Sequence, residues 1–253
     1  MKIGRFEIVT AFEVDKSIIL SCGPTLKILQ NSLGGRVFTI NAPDDAPPAL
    51  PRVILKSKDT IFNVAFDRFQ ITTHPPSHVA SDITSAITFA RQRSHLIIPE
   101  LQSVITTYRW TGVIIEIIFP EDPLVSKSSS DAVIPIFDKL IKIDRKKRPL
   151  ASFQLLFGIN EDDYFTTYTI GAYEGRKIAL NLPSVLPPEG GYIAIEPSEY
   201  PLTECGIKIL IDINNKPSNN KKGPIIDLDT ILDRQSIKFK TLITDLNLEG
   251  IIK

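Results

Sequence analysis

The 253-residue chain has one methionine, one tryptophan, two cysteines and three histidines, and its 29 Lys+Arg are matched by 29 Asp+Glu. Cys22 and Cys205 lie far apart and outside any CxxC spacing. That arrangement argues against zinc or redox chemistry and predicts two free thiols in a reducing compartment. A formal net charge of zero leaves no global field to draw in nucleic acid, anionic membrane or acidic substrate, so only a local patch could do so. No segment approaches the roughly 18 uninterrupted apolar residues of a membrane span. The amino-terminal MKIGRFEIVTAFEVDKSIIL mixes charges through its apolar residues, unlike the continuous h-region of a secretory signal. A cytoplasmic location without membrane association is the expectation.

Signatures of chemistry are equally scarce. There is no GxSxG, no GxGxxG and no Walker lysine after Gly34-Gly35, which argues against a serine-hydrolase elbow, nicotinamide binding and ATP-driven work. His74 and His78 have i, i+4 spacing, but Pro75 and Pro76 between them argue against the continuous helix a metal pair needs, and no third ligand is defined. The reading is therefore no metal, no cofactor and no assignable catalytic residue. Glu161-Asp162-Asp163 reads as a solvated turn. Glu116 in VIIEII and Asp212 in ILIDIN are more informative, because a carboxylate flanked by isoleucines either faces solvent by strand alternation or is paired inside.

What is present is core-forming sequence: 43% of the residues are hydrophobic, enough for one large domain or two small ones. Residues 51–72, PRVILKSKDTIFNVAFDRFQIT, read as a hairpin turned at Lys58-Asp59, with a register change near Asp67-Arg68 that a bulge would explain. Residues 25–33 read as a short helix stopped by Gly34-Gly35. Ser77 is the expected cap of an amphipathic helix carrying Val79, Ile83, Ala86, Ile87 and Ala90 and ending near Pro99. Residues 104–119 favour strand, with a bulge or break at Gly112. EDPLVSKSSSD, at 121–131, reads as a linker. Beyond it, five strands are expected at 153–157, 164–173, 177–182, 192–195 and 207–213, then a final helix from about Asp227. The class is α+β: antiparallel curved sheets, each packed by a long amphipathic helix. The halves 1–125 and 132–253 read as a pseudo-duplicated pair that can also pack as one domain.

Four stretches carry a resemblance: PRVILKSKD, VAFDRF, GIKILIDINN, and the last helix with Phe239 and Ile243-Thr244. In these the chain resembles a sporadically distributed, uncharacterised bacterial family of about this length. It departs at TYRWTGVII, where that family's pattern has a Tyr-Asn pair. The resemblance implies a shared fold and an accessory role, such as phage defence or a toxin-antitoxin locus. It brings no catalytic residues with it.

Three functional readings stay open. The first is a non-enzymatic binding or regulatory protein acting on a protein partner. The second is a metal-dependent hydrolase or nuclease using carboxylates such as Glu116 and Asp212. The third is a nucleic-acid binder using the basic segment 139–148, KLIKIDRKKR, with Lys142, Arg145, Lys146 and Lys147 at its centre. Lys216, Lys221 and Lys222 form a second basic patch. Tyr108-Arg109-Trp110 has the aromatic-plus-arginine composition of a binding hot spot, in a run where core packing is the ordinary alternative.

Overall fold

The computed structural model describes residues 1–43, 45–105, 107–121, 128–141, 150–161, 163–176, 200–216 and 228–251. In chain order these form β1 (Lys2–Phe12), α1 (Ile18–Ser21), α2 (Gly23–Leu33), β2 (Arg36–Thr39), β3 (Val53–Lys56), β4 (Thr60–Val64), β5 (Arg68–Thr73), α3 (Ser77–Ala80), α4 (Ile83–Gln102), β6 (Tyr108–Glu121), α5 (Ser129–Leu140), β7 (Gln154–Glu161), β8 (Tyr164–Arg176), β9 (Leu202–Asn214) and α6 (Leu228–Asp245). The described strands make one sheet in the order β2-β3-β4-β5-β1-β6-β9-β8-β7, with every pair antiparallel. The protein is thus mixed helix and antiparallel sheet. Among the described residues no helix is long and apolar enough to cross a membrane.

Strand alternation determines where the helices lie. Phe6 and Ile8 of β1, Ile71 and Phe69 of β5, Val113, Ile115 and Ile117 of β6, and Ile207, Ile209, Ile211 and Ile213 of β9 all belong to one buried cluster. The same cluster takes Ile18 from α1, Leu26 and Leu29 from α2, Ala80 from α3, Ala86 and Ala90 from α4, Val133 and Ile136 from α5, and Ile231 and Leu232 from α6. Apart from the irregularity between Ile3 and Arg5 of β1, the strands contribute alternate residues, so the described helices pack on one face of the sheet and leave the centre of the other open. Gln235 of α6, fully buried, staples this arrangement by donating from Nε2 to the carbonyls of Val113 and Ile211.

Locally, the residues explain most of the elements. Gly34 closes α2 with φ of 63°, the left-handed cap that a side chain would strain. Asp82 caps α4 by accepting from the Ser85 amide, so the helix expected from Ser77 is two helices, α3 and α4. The second runs through Pro99 to Gln102 instead of ending at the proline. The hairpin at 51–72 is likewise three strands. Ala65 N donates to Arg68 O at 3.0 Å, a two-residue turn at Phe66-Asp67, and β4 pairs with β5 in unbroken register. The register change that suggests a bulge is a chain reversal. Phe62 and Phe69 are core residues on paired strands, with ring centroids 5.6 Å apart. Phe66 is carried instead by the turn, where the Arg52 guanidinium lies 4.6 Å over its ring.

Ser128, in the expected linker, caps α5 by accepting from the Asp131 amide. The expected strands at 177–182 and 192–195, and linker residues 122–127, lie outside the described residues.

Candidate functional site

The helix-free face is built by the other set of alternating residues. Across the centre of the sheet these are Arg5, Glu7 and Val9 of β1, Trp110, Gly112, Ile114 and Glu116 of β6, Lys208, Leu210 and Asp212 of β9, and Thr167 and Thr169 of β8. The pairings Glu7↔Ile114, Arg5↔Glu116, Ile114↔Asp212, Glu116↔Leu210 and Asp212↔Thr167 place them side by side. None of these side chains belongs to the helix-side core.

Two polar groups organise the face. In the first, the Arg5 guanidinium lies 3.7 Å from the Glu7 carboxylate and 3.8 Å from that of Glu116. In the second, Trp110 lies under the Lys216 ammonium, 4.1 Å from the ring centroid. Asn214 connects this pair to Asp212 by donating from Nδ2 to Oδ1 at 3.4 Å, and its own Oδ1 accepts from the Lys216 amide. Gly112 makes the crowding possible, since a Cβ there would meet the Asn214 Cβ at 2.9 Å. Burial raises the Asp212 carboxyl above its ordinary range, and the Asn214 hydrogen bond and the Lys216 charge only partly offset this.

Where β7 begins, the face meets a cavity of about 280 Å³ walled by Thr169, Gly171, Lys208 and Leu210 of the sheet and, at its margin, by Ser130 of the first turn of α5 and by Phe153, so a helix end reaches the rim of the face here. Lys208 makes no ion pair with any described residue. At the far end Tyr173 donates to Glu204 at 3.0 Å. Its hydroxyl is pushed up to about 12, first by burial and then by that carboxylate.

Glu116 and Asp212 therefore face the same side on neighbouring strands, but each is engaged separately, by Arg5 and by Asn214. Among the described residues no group of three or more His, Cys, Asp or Glu side chains is arranged to hold a metal ion. Tyr108-Arg109-Trp110 is split by a register shift between Ala11 and Phe12. Tyr108 turns to the core, 5% exposed, with its hydroxyl unpartnered among the described residues and pushed up to about 12 by burial. Arg109 is exposed and 3.8 Å from Glu13, and only Trp110 joins the helix-free face. Lys142, Arg145, Lys146 and Lys147 lie outside the described residues, as do Lys221 and Lys222. Lys139, at the start of the basic segment, donates to the Asn247 carbonyl. The alternation of charged and apolar residues in RFEIV marks Arg5 and Glu7 as sharing a face, but no local pattern joins Glu116 to them.

No family model matches the chain, and no curated protein matches it.

Proposed function

We propose that the chain is a non-enzymatic binding protein that holds a protein partner against the helix-free face of its sheet. The observation that carries this reading is the face itself. It combines apolar side chains (Val9, Ile114, Leu210) with ionic groups that already have partners and with a cavity beside Lys208. Mixed apolar and polar ground on a rigid scaffold is what protein interfaces are made of. We also propose that the chain is two repeats divided between α4 and β6, ahead of the boundary expected at 121–131. Each runs strand, helix, meander, helix, and its last meander strand returns beside its first, β5 to β1 and β9 to β6. The two first strands then pair at the centre, which supports a quasi-two-fold face.

A photo-crosslinking residue placed in turn at Gln70, Ile114 and Thr169, and at Leu96 on α4 as the helix-side control, tests the reading in the native host. Discrete protein adducts from the sheet positions and none from Leu96 are expected. Adducts from Leu96 alone would refute it.

A further inference from the structure

The two edges of the sheet are guarded very differently. β2 is short, and it opens with Arg36, two of the devices by which edge strands avoid pairing with other chains. β7 is QLLFGINE, eight residues with no lysine, arginine or proline. Its only charge, Glu161, sits at the end, held by Lys238 and Arg234 of α6. Among the described residues no strand lies beyond β7, yet Leu156 is 64% and Ile159 42% exposed. A long apolar edge with unpaired backbone groups is a template for strand addition.

The geometry points to a second copy of this chain as the occupant, paired antiparallel through β7 about a two-fold axis at Phe157. In a two-fold antiparallel pair, opposed residues must share a face, so only registers that match odd with odd and even with even are allowed. Centring on Phe157 opposes Leu155 with the copy's Ile159 and Phe157 with its own mate on the helix side, and Leu156 with the copy's Gly158 on the other. Both exposed apolar side chains thereby gain apolar or open ground. Leu156 meets a glycine, Ile159 meets a leucine, and Phe157, already stacked on Tyr168 at 5.0 Å, meets a second aromatic across the axis. No like charges oppose, because Glu161 falls opposite the copy's Phe153. The self-complementarity favours a copy over an unrelated strand. A partner strand of arbitrary sequence would have no reason to present an apolar residue at each of these positions.

One strand edge is small beside the roughly 1,200 Å² of a stable interface, so the dimer is expected to dissociate on dilution. The test is sedimentation velocity on the full chain across concentrations up to several hundred micromolar. A concentration-dependent shift from 28.2 kDa to twice that mass is expected. A monomer throughout, or open-ended oligomers, overturns the proposal. L156K and I159K place lysines on the edge and should abolish the dimer while leaving the melting temperature and circular dichroism of the monomer unchanged. F38K, on the β2 edge, should leave dimerisation intact. If the β7 variants fold and still dimerise, or if F38K alone blocks assembly, the assigned edge is wrong. A nitroxide at L156C gives an independent reading of register, because its mate lies diagonally across the pair at roughly 7–8 Å between backbones. Strong dipolar broadening that disappears on dilution with unlabelled chain is expected, and its absence in a dimeric sample overturns the Phe157 register.

Discussion

Asp212 is a destabilising residue on the helix-free face. Its carboxyl is raised by burial, so the fold favours the protonated form. The charged form weakens the fold at pH above the raised value, and the penalty fades as pH falls to the ordinary carboxylate range. Asp212→Asn is accordingly expected to raise stability at neutral pH, with the gain shrinking towards pH 4. Urea unfolding at several pH values checks this, and a gain that grows on acidification would contradict it. Tyr108 offers a second single-atom test. Among the described residues its buried hydroxyl has no hydrogen-bond partner, so Tyr108→Phe should be neutral or stabilising by about 1 kcal/mol in the same assay. Trp110 is the only tryptophan, which makes intrinsic fluorescence a direct report on the site. Lys216→Ala should shift its emission without a loss of fold.

At the scale of elements, two contacts differ sharply in what they contribute. Gln235→Ala would leave the buried Val113 and Ile211 carbonyls without their helix donor and is expected to cost about 2–3 kcal/mol. Arg91 of α4 reaches Asp229 and Asp233 of α6 with His95 3.3 Å from Asp229, and this network is exposed. Arg91→Ala should cost under about 1 kcal/mol, and less again in high salt. Denaturant titration at two ionic strengths separates the two cases.

Much of this level was legible in the sequence. Helical periodicity points to α6 and the Gly34-Gly35 stop to α2, while apolar, β-rich runs between turn residues point to β3, β8, β9 and the first half of β7. Misreadings arose where one residue type serves two geometries. Pro99 has the look of a stop but is accommodated inside α4, and the Asp67-Arg68 register change that suggests a bulge is where the chain reverses. Helix α5 is hidden in the sequence because its start, at three consecutive serines, has linker composition and Pro135 interrupts its helical pattern, although Ser128 is in fact its cap. The candidate site was legible only in part. Alternation marks Glu116 and Asp212 as facing away from the core, but nothing local in the sequence says that Arg5 reaches Glu116 or that Gly112 makes room for Asn214, since these contacts join residues about a hundred positions apart.

At the scale of the whole molecule, the sheet runs unbroken from β2 to β7, and β6 is bonded to β1 on one side and β9 on the other. A fragment of residues 132–253 would lack β6 and leave the isoleucines of β9 without their neighbour. It is expected to be unfolded by circular dichroism, and to gain structure only when a fragment carrying residues 1–125 is added. Native-state hydrogen exchange should show the amides of β1, β6 and β9 opening together at the global free energy.

The central seam also bears on how the chain is made. Thr10 and Thr111, in hydrogen-bond reach across β1 and β6, are 101 residues apart. As the polypeptide leaves the ribosome, β1 and the meander that follows it emerge with one flank of the sheet bare, and β6 must clear the exit tunnel before that flank is covered. During synthesis at about 5–20 residues per second, the nascent chain therefore spends several seconds with an apolar strand edge exposed at what will become the middle of the sheet. In that interval its fate depends on whatever holdase or neighbouring nascent chain it meets.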